Sequence, residues 1–152
     1  MLVNRKKIRI QWGDCDPGGI VYFPRYFEYL DACTNELFES VGLPKRHMME
    51  TYGIAGIPLV ESRARFLVPS QFGDAVTVES VVSEWGRSSF TVRHRILKGH
   101  VLAAEVFEKR VWVARSKKKS KLFEGRAIPG LVKKRFSGAN SRSGGKHSRR
   151  AR

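Results

Sequence analysis

Along residues 5–12 the side chains alternate. Lys7, Arg9 and Gln11 stand on one side and Ile8, Ile10 and Trp12 on the other, which predicts a half-buried strand. The period then changes. Over residues 24–41, Phe27, Leu30, Leu37, Phe38 and Val41 recur at helical spacing while Arg25, Glu28, Glu36 and Glu39 take the opposite face, so a long amphipathic helix is predicted. Gly42 suits the left-handed residue that ends such a helix, and Pro44 stops its continuation. A second, short helix is predicted over residues 44–52, closed by Gly53. Period two returns with Val60, Ser62, Ala64, Phe66 and Val68 against Glu61, Arg63, Arg65 and Leu67. Turn residues fill 69–74, and β-rich runs follow over 76–84, 90–97 and 101–114.

This order (strand, long helix, short helix, four strands in hairpin succession) predicts an α+β fold, a curved antiparallel five-stranded sheet wrapped around the long central helix. One helix cannot cover both faces of such a sheet. The uncovered face and the edge strands are expected to be covered by another subunit, so a homo-oligomer is expected, as a dimer or, the favoured form, a dimer of dimers (a homotetramer). Residues 1–136 are expected to form one domain.

Charge changes the picture only at the C-terminus. The net charge is +15, yet residues 1–114 are nearly balanced, and Glu124 is the single acid after them. Residues 137–152 are rich in Gly, Ser and Arg, with no apolar side chain larger than alanine, so a disordered basic tail is expected there. Contact of that tail with nucleic acid is a weaker alternative, and no membrane contact is expected. No apolar run is long enough to span a bilayer, and the charged start MLVNRKKIRIQW lacks the apolar core of a secretory signal. Cys15 and Cys33 make no disulfide framework and no zinc spacing, so a reduced, cytoplasmic chain without metal or cofactor is expected. GxSxG, HExxH, P-loop and GxGxxG motifs are all absent, which leaves serine-hydrolase and dinucleotide-binding readings unsupported.

Candidate chemistry concentrates in the loop Gly13-Asp14-Cys15-Asp16-Pro17-Gly18-Gly19. Pro24 fits the first helical position, and the amides near Phe23 then lie at the positive end of the helix dipole. Such amides can polarise a carbonyl oxygen, and a carboxylate just upstream can attack that carbonyl or activate water on it. By spacing alone, an aspartate in a Gly/Pro loop is also an ordinary turn residue. Asp31 is the second anomaly. At 100° per residue it stands about 40° from Phe27 and about 20° from Phe38, on the margin of the apolar face, where a carboxylate needs a cation, water or a ligand cavity. His94 shares a strand face with Phe90, Val92 and Ile96 and reads as a satisfied core or interface histidine rather than a catalyst. Arg93 and Arg95 read as a solvated or interface stripe with Ser89 and Thr91.

The run Gln11-Trp12-Gly13-Asp14-Cys15-Asp16-Pro17-Gly18-Gly19-Ile20-Val21-Tyr22-Phe23-Pro24-Arg25-Tyr26 resembles the signature of the 4-hydroxybenzoyl-CoA thioesterase family of hotdog proteins, a D-x-D-x-x-G-[IV]-V loop before an aromatic-Pro-x-Tyr helix start. The likeness continues through Leu30-Asp31-Ala32, Gly42-Leu43-Pro44, Gly56-Ile57-Pro58, Glu84-Trp85, Ser89-Phe90, Arg93-His94 and Arg126-Ala127-Ile128. It implies hydrolysis of an acyl-CoA thioester, with Asp16 as catalytic carboxylate (nucleophile or general base) and the Phe23 amide polarising the carbonyl. It implies that Asp31, donated across a dimer, meets a ring substituent of a hydroxybenzoyl-type substrate, near Tyr22, Ile57 and Pro58. Arg87, Ser88, Ser89 and Arg126 match positions that hold CoA. The chain departs from the hydroxybenzoyl type at Ile57, where a hydroxyl residue is usual, at the order of Tyr22 and Phe23, and in its thin basic cluster after Trp85, which Lys117–Lys121 would supplement. A broad short-chain acyl-CoA thioesterase, and a non-catalytic hotdog module binding acyl-CoA or acyl carrier protein, are the alternatives.

Overall fold

The computed structural model describes residues 1–138, so the predicted tail lies outside the described residues from 139 onward. Strand β1 (Asn4–Arg9) runs through a 3-10 turn (Trp12–Asp14) into α1 (Pro24–Glu39) and α2 (Lys45–Tyr52). Strands β2 (Leu59–Phe66), β3 (Ala75–Trp85), β4 (Ser89–Lys98) and β5 (Val101–Val111) follow, then short strands β6 (Val113–Arg115) and β7 (Phe123–Gly125), and α3 (Gly130–Arg135). The first five strands make one antiparallel sheet in the order β1-β3-β4-β5-β2, the α+β arrangement expected.

That order corrects the expected hairpin between β2 and β3. Strand β3 has two edges, and β1 and β4 occupy both, with Ile8 opposite Val76 and His94 opposite Ser80. Residues 69–74 therefore carry the chain across the sheet, and β2 finds its partner on β5, Ala64 opposite Val106. As an edge strand lying largely clear of α1, β2 is exposed at nearly every position, Leu59, Val60 and Phe66 included.

Helix α1 packs Tyr26, Leu30, Cys33, Thr34, Leu37 and Phe38 inward. The stripe is rotated from the predicted one: Tyr26 and Cys33 face the core, while Phe27 and Val41 are half-buried. Each fully buried Leu or Phe contributes roughly 1.5–3 kcal/mol, enough for this stripe, and not the weak intrinsic propensity of β-branched and aromatic residues, to hold the helix. One core cluster gathers Leu37, Phe38, Phe90, Trp112, Val132 and Phe136; the other gathers Ile10, Tyr26, Leu30, Val78, Ile96 and Val106.

Three further expectations change. Strand β1 ends before Trp12, because the 3-10 turn swings that residue outward, 76% exposed, edge-on to Phe72. The predicted single strand over 101–114 breaks at Trp112, whose N–H donates to Ser88 O at 2.8 Å instead of continuing the ladder. Strand β7 and helix α3 were not predicted. Both depend on distant partners: β7 on β6, and α3 on the burial of Val132 and Phe136.

Candidate active site

The loop before α1 is a tight hairpin. Tyr22 N–H donates to Asp14 O (2.8 Å), Cys15 bridges Val21, and Asp16 N–H donates to Ile20 O (2.9 Å). Gly19 turns it at φ 80°, a left-handed conformation that glycine adopts without strain. The two aspartates divide the work. Asp14 is structural, its Oδ2 accepting Gln11 N–H at 2.9 Å. Asp16 has Oδ1 pinned by Gly18 N–H at 2.8 Å, while Oδ2 accepts no hydrogen bond from the described residues. One carboxylate oxygen is thereby oriented and the other is free.

At the helix start, Arg25 N–H donates to Tyr22 O (2.9 Å) and Tyr26 N–H to Phe23 O (3.1 Å), and Pro24 has no N–H. Phe23 N–H is left without an acceptor among the described residues, and its side chain is exposed beside Tyr22. The hairpin thus brings Asp16, Tyr22 and the Phe23 amide into one surface feature.

Asp31 lies elsewhere. It stands seven residues along α1 from Pro24, about 10 Å by helical rise, and lines an open pocket of about 330 Å³ with Phe27, Ile57, Pro58, Glu108 and Arg110. Asp31, Ile57 and Pro58 are therefore brought together, while Asp16, Tyr22 and Phe23 are not part of that lining. Behind the pocket wall is a network that sequence reasoning missed. Arg110 donates from Nη2 and Nε to Glu108 Oε2 (2.8 and 3.2 Å) and pairs through Nη1 with Asp31 Oδ1 at 3.0 Å. His94 Nε2 lies 3.5 Å from Glu108 Oε2, with Ser80 and Thr34 hydroxyls at 2.8 and 3.3 Å from its ring nitrogens. Burial opposes the Glu108 charge, but the His94 hydrogen bond and the Arg110 guanidinium outweigh it and hold the carboxyl below its ordinary range. The missed signal was the alternation of β5: Glu108 and Arg110 share a face with Val106 and Trp112, which puts a charge pair on the core side.

The predicted CoA residues also converge. Gly86 N–H donates to Ser89 O (2.7 Å), and a Cβ at Gly86 would lie 2.7 Å from Ser89 Oγ and 3.2 Å from Ser89 O, so a side chain there would have to turn the serine hydroxyl aside. Ile128 N–H donates to Arg87 O, and Ser88 Oγ packs on Gly125, which sets Arg126 next to the turn. Arg126 is tied to Glu124 at 2.8 Å, and Arg115 stacks over Phe123. The exposed lysines 117, 118, 119 and 121 sit on the β6–β7 loop, at the other end of that hairpin from Arg126.

A family model described as the thioesterase-like superfamily matches residues 10–133. A 4-hydroxybenzoyl-CoA thioesterase of Pseudomonas sp. (strain CBS-3) is 43% identical over 89 residues, a match spanning 58% of this chain and 63% of that relative's length. The solved structure of a 4-hydroxybenzoyl-CoA thioesterase from the same strain superposes with a TM-score of 0.79 at 31% identity, covering 88% of this chain and 98% of that one. A gentisyl-coenzyme A thioesterase structure gives a TM-score of 0.73 at 28% identity, covering 88% and 98%. With the sheet-around-helix architecture and the Asp16 hairpin described above, these matches make the fold a hotdog and the chain a member of the thioesterase-like superfamily.

Proposed function

We propose that this chain hydrolyses an aryl-CoA thioester of the hydroxybenzoyl type to the free acid and CoA, with Asp16 as the catalytic carboxylate. The carrying observation is the hairpin at the helix start. It holds one Asp16 oxygen on Gly18 N–H, leaves the other free, and presents the unpartnered Phe23 amide. A thioester carbonyl seated there receives the Phe23 N–H on its oxygen. Asp16 attacks the carbonyl carbon or takes a proton from the water that does. The tetrahedral oxyanion collapses with cleavage of the C–S bond. With Asp16 as general base, this gives the free acid directly, and the proton Asp16 took from water passes to the CoA thiolate. With Asp16 as nucleophile, it gives a mixed anhydride on Asp16. Water hydrolyses that anhydride to the free acid and the restored carboxylate, and the thiolate is protonated from water. A single oriented donor of this kind lowers the barrier by about 2.7–4 kcal/mol.

The rest of the assignment follows the same reading. Asp31, Ile57 and Pro58 receive the ring, and Tyr22 flanks it. Arg87, Ser88, Ser89 and Arg126 receive the CoA phosphates with help from the β6–β7 lysines. Residues 1–136 act as one hotdog domain, without a cofactor, in the cytoplasm. The chain is read as a homo-oligomer, a dimer of dimers; that Asp16 lies outside the lining that holds Asp31 on one copy supports a site completed by a second copy. Two exposed apolar segments, edge strand β2 and the Tyr22-Phe23 corner, support that association.

Asp16→Asn tests the reading. Its expected effect is a loss of about 100-fold or more in kcat, the size of a general acid–base contribution, on 4-hydroxybenzoyl-CoA with the fold intact by circular dichroism. Activity within a few-fold of wild type removes Asp16 from the mechanism.

A further inference from the structure

The pocket that holds Asp31 has a wall of unusual construction. Arg110 and Glu108 are charged, yet their side chains are 6% and 1% exposed, while the Asp31 side chain is 56% exposed. Each of the three guanidinium nitrogens has a partner. Two of its nitrogens go to Glu108, and the third serves Asp31 and, at 3.4 Å, Ile57 O. A committed, buried guanidinium cannot swing out to meet a ligand without leaving Glu108 unpaired, which is strongly disfavoured inside a protein. Glu108 and Arg110 cancel, which leaves Asp31 as the fixed charge of this network; Lys45 also lines the pocket, but it is exposed and its ammonium has no partner among the described residues to hold it there. Asp31 Oδ1 is held by Arg110, and its Oδ2 accepts no hydrogen bond from the described residues.

We infer that the buried Glu108–Arg110 pair is a specificity element that fixes Asp31 as a hydrogen-bond acceptor, so that the pocket selects an aryl group with an O–H or N–H donor at its far end and rejects one carrying an anion. This rests on the reading of the chain as an aryl-CoA thioesterase. It adds the residues that set the choice and the sign of the group chosen. Arg110 is here a positioning residue, acting through Asp31. Without it, a half-exposed aspartate on a helix surface has other staggered rotamers open to it, several leading away from the pocket. A bond made by a freely rotating acceptor loses much of what a pre-oriented one contributes. Glu108 in turn is what keeps the guanidinium turned toward Asp31, with His94, Ser80 and Thr34 bracing Glu108 from behind.

The test measures kcat/KM on 4-hydroxybenzoyl-CoA, benzoyl-CoA and 4-carboxybenzoyl-CoA for wild type, Asp31→Ala and the double variant Glu108→Gln/Arg110→Met. The double variant leaves no buried charge unpaired. Wild type should prefer the hydroxyl ester over benzoyl-CoA by about tenfold or more, the size of a hydrogen bond to a charged group, and should turn over the carboxylate ester more slowly than benzoyl-CoA. Both variants should lose most of that preference, and the carboxylate ester should gain in Asp31→Ala. If wild type hydrolyses none of the esters, the thioesterase reading falls and this inference with it. If Asp31→Ala abolishes the preference while the double variant keeps it, the inference alone is overturned. Equal losses on all esters make the pair merely structural and also overturn it, as does faster wild-type turnover of the carboxylate ester, which would put a pocket cation, Arg110 or Lys45, against the substrate. Should the double variant not fold, Arg110→Lys replaces it. One ammonium cannot serve Glu108, Asp31 and Ile57 O together, so the preference must fall by about threefold or more, and an unchanged preference overturns the inference.

Discussion

Helix α3 is six residues long, and its tie to the body is chiefly Phe136, just past its end. That ring is 4% exposed and packs edge-on against Phe38 (centroids 4.8 Å) and Trp85 (5.3 Å), while Val132 fills the space beside it. Phe136→Ala removes the ring and leaves a hole floored by Phe38. Core Phe→Ala changes cost about 3–5 kcal/mol, and a short terminal helix can resettle, so about 3 kcal/mol is expected here. Unfolding entropy of about 2.1 cal/mol/K per residue, over a body of 138 residues, gives about 0.3 kcal/mol/K, so Tm should fall by about 10 °C. The assay is thermal unfolding of both proteins at one concentration, which removes the effect of association. A functional consequence follows, because Lys133 Nζ donates to Gly86 O at 2.8 Å and Ile128 N–H to Arg87 O. Loosening α3 frees the β3–β4 turn proposed to hold CoA, so KM should rise by more than kcat falls. A Tm within about 3 °C of wild type refutes the packing argument. A full Tm loss with KM unchanged refutes the link between α3 and the turn.

Two further predictions concern titration and thiol chemistry. Glu108 is held below its ordinary carboxyl range in the fold, so the unfolded chain binds more protons below about pH 4.5, and the stability this group contributes is present above that pH and lost as pH falls through its folded pKa. Glu108→Gln should lack this loss: in urea titrations from pH 6 to pH 3, the gap between wild type and variant should shrink, and a constant gap refutes the assignment. Burial pushes the Cys33 thiol up to about 12, whereas Cys15 sits half-buried on the hairpin. A thiol reagent at pH 8 should label Cys15 in the native protein and Cys33 only after unfolding, read by peptide mass spectrometry; labelling of native Cys33 would contradict its burial.

The sequence was most legible where structure is local. Helix α1 could be read because its apolar spacing spans four turns, and Gly42 and Gly53 end their helices in the expected left-handed conformation at φ 75° and 64°. The hairpin could be read for its composition, and its division of labour between Asp14 and Asp16 could not, since that is decided by which amide each oxygen meets. Strand β2 alternates well enough to be recognised as a strand, but its place at the far edge depends on β1 and β4 holding both edges of β3. Helix α3, with the sequence GLVKKR, reads as part of a basic end; only the tertiary burial of Val132 and Phe136 makes it structure. Asp31 could be marked as an anomaly from α1 alone. Its partner Arg110 lies in β5, seventy-nine positions later in the chain, where spacing carries no signal.

The strand order has a bearing on how this chain can be assembled and cut. Both outer strands, β1 and β2, are made before any of the three central ones. As the polypeptide emerges, the N-terminal half carries two strands and two helices with no ladder to join, because β1 needs β3 and β2 needs β5. Such non-local pairing must await the later meander, which makes folding slow and leaves apolar edges bare in the meantime. No break near residue 70 can therefore yield two self-sufficient pieces. Complementation by separately expressed halves should succeed only when both are present together, with the β3–β5 meander acting as the template on which the earlier half condenses.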